Sequence, residues 1–76
     1  MVNLKELRAS VEATGLKKKR IATLLGITRS SLTNKLNGRQ PIKIDEARTI
    51  KLVTGMSDDD FIRIFFAPEV EPNRTE

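Results

Sequence analysis

The side chains able to do chemistry here are of a restricted kind. The 76 residues include no cysteine and no histidine. That removes thiolate and imidazole metal ligands, the commonest general base and any disulfide. An acid–base enzyme would have to work with Asp, Glu or Lys, and one small domain has little interior in which to shift their pKa values. The polar residues suit recognition better. Arg29, Ser30, Thr33, Asn34 and Asn37 fall on the exposed side of a short helix expected at about 28–37, and none of them is acidic. Arg can bond guanine through two hydrogen bonds, Asn can do so with adenine, and Ser or Thr serves several base edges. Just upstream stands Lys17-Lys18-Lys19-Arg20. A carboxylate-free helix face beside a Lys-rich helix is what a reader of the DNA major groove requires.

The charge distribution agrees. The net charge is +4, but from Met1 to Met56 twelve Lys or Arg face four acids, whereas from Ser57 to Glu76 two Arg face six. A basic body with an acidic end has one side suited to a polyanion and one that faces elsewhere. At this length a single core is expected, in a domain spanning 1–66 with an acidic tail at 67–76 that has little to bury. No stretch approaches the roughly 20 apolar residues of a membrane span, and the start lacks a signal-peptide core. A soluble, cytoplasmic protein acting at the nucleoid is expected.

Five helices and no strands must position these side chains, giving an all-α fold. Asn3 and Glu6 can cap the first helix, whose stripe is Leu4, Leu7 and Val11 before Gly15. The second runs from about Lys18 to Leu25 with Ile21, Ala22, Leu24 and Leu25 apolar, and Gly26 stops it. Thr28 caps the third, with Ile27 able to staple onto Leu32, and Leu32 and Leu36 facing inward. A fourth, from about Ile44 to Thr54, has the stripe Ile44, Ala47, Ile50 and Val53 before Gly55. Ser57 and Asp60 cap the fifth, and three carboxylates favour the positive end of its dipole. Two helices with a short Gly-containing turn between them cross steeply, and Ala22 suits the crossing. Phe61 and Phe65, four residues apart, should meet the core. Ile62, Ile64, Phe65 and Phe66 make that helix more apolar than one stripe needs, and a contiguous apolar patch usually marks an interface.

The string Ile21-Ala22-Thr23-Leu24-Leu25-Gly26-Ile27-Thr28-Arg29-Ser30-Ser31-Leu32, continued by Asn34-Lys35-Leu36-Asn37-Gly38, resembles the helix-turn-helix of the phage Cro and lambda-repressor-like (XRE-type) family. The resemblance extends from about Leu4 to Phe66, and the ending Ile64-Phe65-Phe66-Ala67 is similar to small Cro-like or repressor-like proteins of Gram-positive temperate phages. It implies a compact five-helix lambda-repressor-like domain whose third helix enters the major groove with its N-terminal residues on base edges. By position, Arg29, Ser30 and Asn34, with Thr33 as a fourth, would read bases. Lys18 matches a position that meets the DNA backbone, with Lys17 and Lys19 beside it, and Thr28, Asn37 and Arg39 match phosphate-binding positions. The resemblance also implies a homodimer formed through Ile62, Ile64, Phe65 and Phe66, reading half-sites about one helical turn apart.

The chain departs from the family pattern in two ways. Lys17 and Lys43 stand where Ser or Thr usually caps the second and fourth helices; losing such a cap costs about 1 kcal/mol and puts positive charge at the positive dipole end. A phosphate bound at each N-terminus would offset both, so Lys43 joins the expected phosphate contacts. Lys35 occupies a position that is apolar in several relatives, and Leu36 is expected to take the inward role. The function implied is a phage or prophage transcriptional regulator that occupies operator DNA, with no catalysis, cofactor, metal or small-molecule ligand. The rival is a protein-interaction role on the same fold, as an antitoxin or antirepressor working through the last helix. RNA binding is disfavoured because no aromatic residue lies among the basic positions to stack on unpaired bases.

Overall fold

Asn3, Lys17, Thr28, Lys43 and Ser57 each hold an extended backbone conformation and open a helix. In the computed structural model, which describes residues 1–67, these helices are α1 (Leu4–Ala13), α2 (Lys18–Leu25), α3 (Arg29–Leu36), α4 (Ile44–Thr54) and α5 (Asp58–Phe65). There is no strand among the described residues. The expected tail lies outside them except for Ala67. No helix among them is long and apolar enough to cross a membrane.

Local chemistry explains the boundaries. The side chains of Asn3, Thr28 and Ser57 accept the backbone N–H three residues on, from Glu6, Ser31 and Asp60, at 3.2, 3.0 and 3.1 Å. α2 ends at Gly26 with φ +75°. Gly26 N–H donates to the Thr23 carbonyl and Ile27 N–H to that of Ala22, at 3.1 and 3.0 Å, closing a Schellman motif. Only Gly26, Ile27 and Thr28 separate α2 from α3. The same motif ends α3 at Gly38, where Arg39 N–H reaches the Asn34 carbonyl at 2.8 Å.

The core comprises Leu7, Val11, Ile21, Ala22, Leu32, Leu36, Ala47, Ile50, Ile64 and Phe65. Each large member contributes about 1.5–3 kcal/mol relative to an exposed side chain. α3 packs on α1 and α2, α4 on both of those, and α5 on α1. The Arg8 guanidinium also donates to the Leu36 carbonyl at 2.9 Å, tying α1 to the end of α3. Asn3 N–H donates to the Ile64 carbonyl at 2.7 Å, and Arg63 pairs with Glu6, so α5 is fastened to the start of α1.

Two stripe expectations need correction. Ile44 is 66 % exposed, because it is the first residue of α4 and the buried side of that turn is taken by Glu46. Leu24 is exposed as well, since Ile21, Ala22 and Leu25 already span the inward arc of α2.

Candidate nucleic-acid interface

Rotation of α3 about its axis decides which side chains are available outside. Leu32, Lys35 and Leu36, at the i, i+3, i+4 spacing of one face, are all buried. The opposite side is left to Arg29, Ser30, Thr33 and Asn34, which together line one open depression. Arg29 and Ser30 are exposed, and Thr33 and Asn34 half-buried. A second depression is lined by Lys17, Lys18, Lys19 and Arg29, all exposed. Arg29 therefore belongs to both, and no carboxylate lines either one. The structure thus brings the expected base readers together and sets the Lys cluster beside them.

The other expected phosphate contacts are exposed but line neither depression. Thr28 Oγ1 accepts the Ser31 N–H, which leaves its own hydroxyl proton free to donate. Asn37 and Arg39 lie at the far end of α3, and Lys43 at the start of α4. Arg39 borders a separate cleft with Met1, Val2, Leu4, Lys35 and Ile42.

The two capping lysines differ. Lys17 makes no cap, and α2 has no acid in its first turn, so its free N–H groups face solvent among cations. Lys43 makes no side-chain cap either, because an ammonium cannot accept; instead Glu46 Oε1 accepts the Lys43 N–H at 2.9 Å and Asp45 Oδ1 the Glu46 N–H at 2.9 Å. The α4 N-terminus already holds carboxylates, which corrects the expectation that it needs a phosphate. Lys43 remains available only as an exposed cation.

Leu36 takes the inward role as expected, but Lys35 turns inward beside it. Its ammonium is buried against Glu46, with Nζ at 2.8 and 3.1 Å from the carboxylate oxygens. Burial pushes the Glu46 carboxyl up, but the Lys35 hydrogen bond, the Lys43 amide and the charges of both lysines outweigh it and hold it below its ordinary value. The available signal was Lys35's place within the inward arc of Leu32 and Leu36, where a buried ammonium demands a carboxylate. Ser31 donates its hydroxyl to Gln40 Oε1 at 3.2 Å and so ties α3 to the following loop.

The apolar surface of α5 is narrower than expected. Phe61, Ile64 and Phe65 form its inward face: Ile64 and Phe65 are buried, and the rings of Phe61 and Phe65 lie 4.9 Å apart. Ile64 and Phe65 are thereby removed from the candidate dimer surface. Ile62 and Phe66, four residues apart, are 57 % and 58 % exposed. Asp58 pairs with Lys51 at 2.9 Å, and that bond and charge lower its pKa; Asp60 pairs with Arg63. Among the described residues no group of three carboxylates could hold a metal ion.

Comparison with family models, with curated proteins and with solved structures gives no match.

Proposed function

We propose that the chain is a sequence-specific, double-stranded-DNA-binding regulator of transcription of the phage repressor or Cro type. In this reading α2 and α3 act as a helix-turn-helix and α3 lies in the major groove. Arg29, Ser30, Thr33 and Asn34 read base edges, while Lys17–Lys19 and the hydroxyl of Thr28 hold the phosphate backbone. The observation that carries the reading is the place of Arg29, shared between a depression of neutral hydrogen-bonding side chains and one lined by lysines. Base readers and backbone anchors have to be adjacent in this way, since phosphate contacts fix the register in which bases are read. The uncapped α2 N-terminus adds free N–H donors and a positive dipole end next to the same lysines.

A homodimer through Ile62 and Phe66 would let two copies of α3 reach successive major-groove faces. The same exposed pair, beside the acids Asp58 and Asp59, favours a second reading in which another protein docks on α5. Selection from a random duplex library separates them. An enriched inverted repeat with half-sites about 10 base pairs apart, bound well above scrambled DNA at physiological salt, is the outcome expected of a dimeric operator binder. No enrichment, with all binding lost at that salt, would sink the reading and leave α5 as the place to look for a partner.

A further inference from the structure

The buried Lys35–Glu46 pair joins three segments of the chain. Lys35 Nζ donates to Glu46 Oε1 at 2.8 Å, to Oε2 at 3.1 Å and to the Pro41 carbonyl at 3.3 Å, which uses all the protons of an ammonium. Glu46 Oε1 also accepts the backbone N–H of Lys43 at 2.9 Å. Both side chains are only 9 % exposed. Taking two charges out of water is costly, and apolar residues of similar volume in the same place are often as stable or more so. Mutual attraction is therefore a poor reason for this pair; what it holds is a better one.

It holds the end of the loop that connects α3 to α4. The beginning of that loop is fastened separately, with Arg39 N–H and Gln40 N–H on the Asn34 carbonyl at 2.8 and 3.4 Å and Gln40 Oε1 on the Ser31 hydroxyl. The loop and its end carry the exposed cations Arg39 and Lys43. Each of these hydrogen bonds leads back to α3 or to the first turn of α4. The base-facing side chains and these two cations are thus parts of one braced unit.

We propose that Lys35 and Glu46 are positioning residues. They fix where Lys43, at the end of the loop, stands relative to Arg29, Ser30, Thr33 and Asn34, and so help set the register of α3 on a duplex without touching it. This inference rests on the DNA-binding reading above.

Two double variants test it, each compared with the wild-type chain on the duplex that the wild type selects. Lys35→Met with Glu46→Met keeps the volume and removes both charges. Lys35→Glu with Glu46→Lys keeps opposite charges, but a carboxylate at 35 cannot donate to the Pro41 carbonyl and an ammonium at 46 cannot accept the Lys43 N–H. The expected result is a folded Met pair with roughly tenfold weaker binding of the selected duplex, a narrowed preference over scrambled DNA, and a salt slope reduced by about one unit as the Lys43 phosphate contact is lost. The exchanged pair should not restore binding. Unchanged affinity and slope in the Met pair, recovery in the exchanged pair, or a Met pair that fails to fold would each overturn the proposal. A wild-type chain that prefers no duplex removes the DNA reading itself, and that failure is visible without either variant.

Discussion

Gly38→Ala is expected to destabilise the protein about twice as much as Gly26→Ala, and the difference follows from what surrounds each α-carbon. Both glycines close a helix in the left-handed region, at φ +81° and +75°. Holding an L-residue there costs about 1–2 kcal/mol, partly offset by about 0.4–1 kcal/mol from restricting the unfolded chain, for a net loss near 1 kcal/mol. At Gly26 nothing lies within 4 Å of an added Cβ, so this backbone cost is the whole effect. At Gly38 an added Cβ would stand 2.7 Å from Leu4 Cδ1. Leu4 is half-buried and packs against the core, so turning it aside adds about 0.5–1.5 kcal/mol of rotamer strain. The totals are about 1 kcal/mol for Gly26→Ala and about 2 kcal/mol for Gly38→Ala. In a domain this small each kcal/mol lowers the melting temperature by about 4–8 °C. Thermal unfolding followed by circular dichroism, with urea titrations of the same variants, measures both. Equal losses at the two positions would refute the packing of the α1 start against the end of α3.

Further outcomes are expected. Arg29→Ala should lose about 1–3 kcal/mol on a selected duplex and relax one base preference, whereas Lys18→Ala should weaken binding to all sequences alike and lower the salt slope by about one unit; titrations on cognate and scrambled duplexes distinguish them. Lys17→Thr should stabilise the free protein by about 1 kcal/mol while weakening DNA binding, since α2 has no cap. Lys43→Thr should gain less, because Glu46 and Asp45 already serve that helix start; a gain as large as that of Lys17→Thr would contradict this. The Glu46 carboxyl has a folded pKa below its unfolded value, so its stabilising share is complete above its ordinary value near 4.5 and is lost as pH falls through the depressed folded value. The Met pair at 35 and 46 should therefore lose less stability than the wild type on acidification over that range. Ile62→Ser with Phe66→Ser should leave the monomer folded, both side chains being largely exposed, but shift sedimentation toward the monomer and lower melting only by the stability that dimerisation adds; an unchanged oligomeric state would remove α5 as the dimer surface.

The helices were legible because their signals are local. Asn3, Thr28 and Ser57 carry acceptors at the right offset from the first free N–H groups, and Gly26 and Gly55 sit where a left-handed residue must follow. The grouping of Arg29, Ser30, Thr33 and Asn34 was legible for the same reason, since α3 spacing alone puts them on one side. Long-range pairing was not legible. The spacing of Lys35 with Leu32 and Leu36 turns it inward, but its partner Glu46 is not visible until α4 is placed, and Lys43 reads as a bare helix end until the same carboxylate accepts its N–H. On α5 the Phe61–Phe65 spacing marks the inward side, but the apolar run through Phe66 does not show how much of it is buried. The packing of α5 on α1 takes Ile64 and Phe65 into the core and leaves Ile62 and Phe66 outside.

The most direct measurement is a titration of the isotope-labelled protein with the selected duplex, followed by amide and side-chain NMR shifts at physiological salt. Binding through α2 and α3 predicts that the largest changes fall on Lys17–Lys19 and on Arg29, Ser30, Thr33 and Asn34, including the Arg29 guanidinium and Asn34 carboxamide signals. Changes confined to Asp58–Phe66, or none at those α2 and α3 positions, would contradict the assignment of this face to DNA.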